Sequence, residues 1–164
     1  MSPRTAPALR AGTWTVRTAT ASFEVRNFGF NRVRGTIPVR AGAVEVTGGG
    51  VTAVRADLDL GAVDTKNARR DADLRKPHLL DSGAHPELTF TAAGVRRDGE
   101  GWEVTGELRL RGTSCPLTLA VEADGTRVRA TGTLDRAPLG VKAPRAMIGR
   151  YVAIVVEAEL EPPS

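Results

Sequence analysis

The segment DTKNARRDADLRKPHLLDSGAHPELTF, from Asp64 to Phe90, holds both histidines of the chain, His78 and His85, close in sequence to Asp64, Asp71, Asp73, Asp81 and Glu87. Imidazole and carboxylate are ligands of zinc and the working groups of acid–base catalysis, so a metal-assisted enzyme built on Asp64 to Glu87 is the first chemistry the segment suggests. The spacing argues against it. Helical metal motifs place two ligands at i and i+4, whereas His78 and His85 are seven apart and each sits beside a proline, Pro77 and Pro86. Turn histidines among solvated charges explain the same residues without a site. The bases Lys66, Arg69, Arg70, Arg75 and Lys76 mix with Asp71 and Asp73, as on a wet, salt-bridged helix surface. Arg70 and Asp71 are neighbours pointing in different directions, so one of them can reach away and staple the segment to the rest of the fold. A buried Arg70 would then be structural.

Other reactive arrangements lack their parts. No GxSxG turn is present, and Cys115, the single cysteine, lies between Ser114 and Pro116 with no histidine near it in sequence. A lone cysteine forms no intrachain disulfide and no metal motif, which leaves a structural thiol. Gly48 to Gly50 is not followed by Lys-Ser/Thr, so it predicts a hairpin turn and not a phosphate loop. Stacking on nucleic acid needs aromatics interleaved with a basic groove; only seven aromatic residues occur, and Phe23, Phe28 and Phe30 read more simply as core. With 23 Lys and Arg against 19 Asp and Glu the net charge is +4 and the pI about 10.0. That field is weak for a dedicated nucleic-acid module, and it permits an anionic partner without demanding one.

The elements that must carry these residues are strands. In SFEVRN, Phe23 and Val25 alternate with Glu24 and Arg26, and in GWEVTGELRLRG the residues Trp102, Val104, Gly106, Leu108 and Leu110 share one face. Runs near Val33 and from Val51, Glu87, Pro116, Thr126 and Tyr151 follow the same rule. Turn signals at 48–50, 97–101 and 123–125 are too short for parallel crossovers. The pattern predicts an all-β, antiparallel, up-and-down barrel of about eight strands. Without two aromatic girdles it is not a membrane barrel, so its apolar side faces inward. A barrel of this size is either filled by its side chains or holds one small ligand. Many inward positions are Val, Ala, Gly or Thr, which leave space for a cavity.

One short helical connector is expected in TKNARRDADLRK, capped by Asp64 or Thr65, starting near Lys66 and stopped by Pro77. Residues 1–12 carry two prolines and no periodicity and read as a flexible tail, leaving 13–164 as a single barrel domain. The opening MSPRTAPALRAGTWTV lacks the apolar core of a secretory signal, which predicts a cytoplasmic protein.

Read in order, SFEVRNFGFNRVRGTI, the Asp64 to Phe90 segment with its T-x-N-x-x-R-D-x-x-L-R and HP-x-x-TF stretches, GELRLRGTSCPLTL, LDRAPLGV and the final VEAEL resemble the YceI-like family of lipid-binding proteins. The resemblance implies a lipocalin-like barrel whose long apolar tunnel holds a polyisoprenoid chain, such as a quinone tail or polyprenyl lipid, with no catalytic residue, cofactor or metal. Carried onto this chain together with the alternation, it implies ligand contacts at Phe23, Val25, Phe28, Phe30, Leu58, Leu79, Leu80, Phe90, Leu108 and Leu110. The chain departs from the family at Asn27 and Asp73, where histidines are common, and in lacking the export signal of many members.

The expected function is therefore binding, transport or sequestration of a polyisoprenoid or other long apolar lipid. Arg and Lys near the mouth would meet a phosphate or quinone head, and the basic balance would favour transient contact with an anionic membrane surface. A homodimer is compatible with the sequence; a nucleic-acid partner is not expected. The rival readings are the metal-assisted enzyme and a fully packed structural barrel.

Overall fold

The computed structural model describes residues 10–27, 31–48, 50–74, 87–110, 112–135 and 151–163. Eight strands follow one another: β1 Gly12–Asn27, β2 Asn31–Thr47, β3 Gly50–Asp59, β4 Glu87–Asp98, β5 Gly101–Leu110, β6 Thr113–Asp124, β7 Arg127–Asp135 and β8 Tyr151–Glu161. Each pairs antiparallel with the next, and β1 also pairs with β8, from Thr15 opposite Glu161 to Val25 opposite Val152. The sheet is thus a closed, lipocalin-like barrel without a free edge. A 3-10 turn, Leu60–Ala62, and one helix, α1 Ala68–Leu74, follow β3.

The up-and-down order gives the barrel two unlike ends. At one lie the tight hairpins β2–β3, β4–β5 and β6–β7, the start of β1 and the finish of β8. Gly99 and Gly125 turn two of these hairpins at φ of +60° and +62°, a region that a Cβ makes costly. The other end carries the 3-10 turn and α1. We call these the hairpin end and the connector end.

Strict alternation fails where the sheet must bend. Against β8, the register of β1 slips between Val16 and Thr18, and against β3 that of β2 slips between Val39 and Ala41. The two irregularities face each other, and β1–β2 pairing skips from Thr15 opposite Ala43 to Thr20 opposite Pro38. Further slips fall between Glu45 and Val46 and between Ala92 and Gly94. Extra residues of this kind sharpen local bend and twist, which closing eight strands requires. They also reset parity, so that Val95, and not Gly94, continues the inward row of Leu88, Phe90 and Ala92.

The inward row of β5 is the one the sequence showed: Trp102, Val104, Leu108 and Leu110 are all buried. At the connector end it joins Leu58, Leu60, Leu88, Cys115, Leu117 and Leu134 in a leucine-rich core. Gly106 sits at the crossing of this row with the β4 slip. A Cβ there would lie 2.2 Å from the Thr91 carbonyl oxygen and 2.7 Å from Ala92 Cβ. Neither neighbour is the end of a flexible chain. The Gly106→Ala variant is expected to lose about 1–3 kcal/mol by overpacking, read as a lower urea midpoint. Gly50→Ala, whose Cβ would meet nothing within 4 Å, serves as the near-neutral control.

Candidate ligand cavity

The described start of the charged segment, 64–74, turns out to be a clasp. The backbone of Asp64 forms a bridge to β2, with Thr36 N donating to Asp64 O at 2.9 Å and Asp64 N donating to Thr36 O at 3.0 Å. Asp64 Oδ1 then accepts from Lys66 N at 2.8 Å, holding Lys66 at φ 62°. That backbone donor, with help from the Lys66 charge, keeps the exposed Asp64 carboxyl below the ordinary carboxylate range. Asp71, buried, receives Thr65 N on Oδ1 and Oδ2 at 3.0 and 3.2 Å, and Thr65 Oγ1 donates to Oδ1 at 2.5 Å.

Asp71 is therefore the residue that staples the segment. Helix α1 starts at Ala68, two residues later than the Lys66 the sequence suggested, because the Asp64–Lys66 turn and the Thr65–Asp71 link occupy the chain before it. Ala68, Arg69 and Ala72 face water. No group of three metal-ligating side chains occurs among the described residues. His78 and His85 lie outside them, as do Asp81, Leu79 and Leu80.

Cys115 is buried among the leucines, and its thiol lies 3.1 Å from the Asp135 carbonyl oxygen, to which it donates. Burial first, and the Asp135 charge second, push its pKa above the ordinary thiol value. Nothing in this environment favours a thiolate, so the group is structural.

Open space is found at the hairpin end. A cavity of about 160 Å³ runs from the hairpins to the middle of the barrel. Its walls are Trp14 and Val16 of β1, Val44 and Val46 of β2, Val51 and Val54 of β3, Phe90 of β4, and Trp102 and Val104 of β5. Leu119 and Val121 of β6, Val128 and Ala130 of β7, and Val156, Ala158 and Leu160 of β8 complete them. Among the described residues, Arg55 and Thr126 bring the only charged or hydroxyl side chains to the lining, and Arg55 is ion-paired to Asp57 at 3.5 Å. The site can exclude water from an apolar guest and offers almost nothing for directed chemistry. A larger outer hollow of about 600 Å³, lined by Glu45, Arg55, Thr91, Thr105 and Glu107, is a solvent-facing bend of the sheet between β2 and β5 and encloses nothing.

Both tryptophans of the chain stand in the wall. Trp14 donates its indole N–H to the Arg10 carbonyl oxygen at 2.9 Å, and the Arg97 guanidinium lies 5.2 Å from the centre of the Trp102 ring. Each indole thus has a polar partner towards the outside and an apolar face left for the interior.

Of the residues expected to touch ligand, Phe90 lines this cavity. Leu58, Leu108 and Leu110 lie in the packed core, Val25 is buried on β1, and Phe23 closes over Gly35, whose Cβ would come within 2.5 Å of its ring. Phe28 and Phe30 lie outside the described residues. The alternation had already put Trp102 and Val104 inward. It carried no information on height along the barrel axis, so the smaller wall residues of β1, β2, β7 and β8 were missed. Their one signal was size: inward positions run to Val and Ala towards the hairpins and to Leu towards the connectors.

A closed antiparallel barrel with an apolar interior defines the lipocalin-like class of fold. Within that class the assignment is specific: residues 14–160 match the YceI-like domain, and the chain belongs to that family. It is 30% identical to Protein YceI of Escherichia coli O157:H7 over 109 residues, which span 65% of this chain and 57% of that relative. BcnA of Burkholderia cenocepacia has the same fold, with a TM-score of 0.71 at 15% identity over 87% of this chain and 96% of that one. So does a polyisoprenoid-binding domain of Saccharophagus degradans implicated in plant cell wall breakdown, with a TM-score of 0.70 at 16% identity over 92% and 98%.

Two outcomes follow from the clasp and the thiol. Asp71→Ala removes the acceptor for Thr65 N and Oγ1 and is expected to cost about 1–3 kcal/mol, with faster hydrogen exchange at Thr65; Asp71→Asn, which keeps one acceptor oxygen, should lose less. Cys115 should ignore a water-soluble disulfide reagent in the native protein and react once urea unfolds it. Because its folded pKa is raised, the stability it contributes is present below the ordinary thiol pKa and is lost as pH climbs through the folded value.

Proposed function

We propose that the protein binds an apolar, prenyl-type lipid inside the barrel and carries or sequesters it, without catalysing a reaction on it. The observation that supports this reading is the cavity of about 160 Å³ walled by Val, Ala, Leu, Phe and Trp. The polyisoprenoid-binding domain of the same fold points to the same class of guest. Burial alone supplies the driving force: each enclosed CH₂ contributes about 0.8 kcal/mol before ordering costs, so a hydrocarbon chain needs no directed contact.

In this reading the guest is collected at a membrane surface, where the net charge of +4 favours approach to anionic headgroups. A quinone or polyprenyl head would stay at the hairpin end, outside the apolar wall. The ligand contacts proposed from sequence at the connector end, among them Leu58, Leu108 and Leu110, would come into play only if the leucine core parts to admit chain.

Native mass spectrometry of the purified protein is expected to show an apolar adduct that organic extraction removes. The extracted protein should then take up an added prenyl alcohol, with a change in emission from Trp14 and Trp102. A protein that purifies empty and binds no prenyl alcohol would sink the proposal.

A further inference from the structure

The ladders of the barrel are not equally complete. On one side β6 pairs with β5 from Val121 opposite Trp102 to Thr113 opposite Leu110. On the far side of β7, pairing with β8 runs from Arg127 opposite Glu159 to Asp135 opposite Tyr151. Between β6 and β7 it starts at Asp124 opposite Arg127 and stops at Ala120 opposite Thr131. The remaining stretches, 113–119 and 132–135, form a seam outside that ladder.

A proline accounts for the seam. Asp124 and Arg127 close a two-residue turn with Gly125 at φ +62° in its first position, so this pair exchanges both backbone hydrogen bonds. No register slip interrupts β6, and alternation therefore turns the N–H of Glu122, Ala120 and Thr118 and the ring nitrogen of Pro116 towards β7. Continued in the same register, the ladder would set Pro116 opposite Asp135, where proline has no N–H to give the carbonyl. A side chain supplies the donor instead: Cys115 Sγ donates to the Asp135 carbonyl oxygen at 3.1 Å. Nearer the ladder the strands cross closely but out of register, and a Cβ on Gly132 would fall 2.6 Å from the Thr118 carbonyl oxygen. Pro116, Thr118 and Thr133 are exposed on the outer side of the seam, while Leu117, Leu119 and Leu134 are buried on the inner side.

We infer that β6 and β7 part locally along this seam and that the Cys115 thiol is the latch that holds them together. A thiol is a weak donor, so the latch is weaker than the backbone rung it replaces. Openings of this kind start where a ladder ends and cost less than global unfolding. They are rare and brief, so the thiol stays protected during a labelling assay while amide exchange accumulates them. Leu119 stands in the cavity wall and Leu117 and Leu134 in the leucine core, so parting of the seam joins the two spaces. Resting on the reading of the interior as an apolar-lipid site, a guest longer than the cavity then exchanges at a rate that the latch sets.

Amide hydrogen exchange on the whole chain, resolved by residue, is the test. The N–H groups of Ala120 and Thr131 face the seam, whereas those of Leu119 and Leu134 face β5 and β8. In the wild type the first two should exchange by local opening, faster by roughly tenfold or more than their neighbours. Cys115→Val, which removes the donor, should speed Ala120 and Thr131 by about three- to tenfold, with Leu119 and Leu134 keeping pace with the β1 and β8 amides. Cys115→Ser, which keeps a hydroxyl donor, should stay near the wild type, and Cys115→Ala replaces the valine variant if valine overpacks. Release of a bound fifteen-carbon prenyl alcohol, followed by tryptophan emission, should quicken by the same factor in Cys115→Val with affinity unchanged, because a gate alters both directions. Uniform exchange at all four amides of the wild type overturns the seam, and seam amides that respond no more than the β1 and β8 amides overturn the latch. Faster seam opening with an unchanged release rate overturns the gating of the guest. A protein that binds no prenyl alcohol overturns the lipid reading and the gating with it, while the amide result still decides the seam.

Discussion

Pairing of β1 with β8 makes every inward side chain of this protein a member of one enclosed volume. Once the sheet closes, an inward residue has no water to turn to, and the space inside is whatever the summed side chains leave unfilled. The same closure forces the irregularities. Eight strands can meet only if the sheet is strongly bent, and the facing slips at Arg17 and Arg40 with the one at Ala93 supply bend where flat pairing could not. Glycine at positions 42 and 106 follows from that bend: a Cβ at Gly42 would lie 2.6 Å from Val16 Cγ2, and one at Gly106 closer still to the Thr91 carbonyl oxygen.

Within a closed sheet, the gradient of side-chain size decides where space is left. Leu58, Leu60, Leu88, Leu108, Leu110, Leu117 and Leu134 fill one end, and valines and alanines of β2, β3, β7 and β8 underfill the other. The clasp formed by Thr36, Asp64, Thr65 and Asp71 stands at the filled end. Its buried carboxylate is tolerable because Thr65 offers it both a backbone and a hydroxyl donor. Asp64 and Asp71, two of the acidic residues that looked most chemical, are thus used to fasten the chain at the connector end, and the described wall of the cavity is almost free of polar side chains.

The strands, their order and their antiparallel sense were legible because period-2 alternation and short Gly-containing turns are local signals. The inward row of Trp102 to Leu110 came through complete. Parity beyond a bulge was not legible: nothing local in LTFTAAGV says that Val95 rather than Gly94 faces inward, since the slip depends on the partner strand. Helix α1 was placed in the right segment and two residues early, because Thr65 and Asp71 pair across a turn, a contact that capping patterns do not describe. The cavity was least legible. Phe90 was found as an inward aromatic on a strand, but Trp14, Val46 and Ala158 meet it only through the shear of the barrel, a property of all eight registers together.

That dependence explains why the family's fold and this chain's cavity are separate questions. Relatives at 15–16% identity keep the barrel because alternation and turns survive replacement of nearly every side chain. Neither alternation nor turns protect the enclosed volume in the same way. Exchanging Ala for Leu at one inward position preserves the pattern and removes several methyl-sized units of space, and exchanging Phe for Ala restores them. A closed barrel can therefore vary the space it encloses by altering a few inward residues, Phe90 among them, without disturbing the hydrogen-bonded ladder that makes it a barrel.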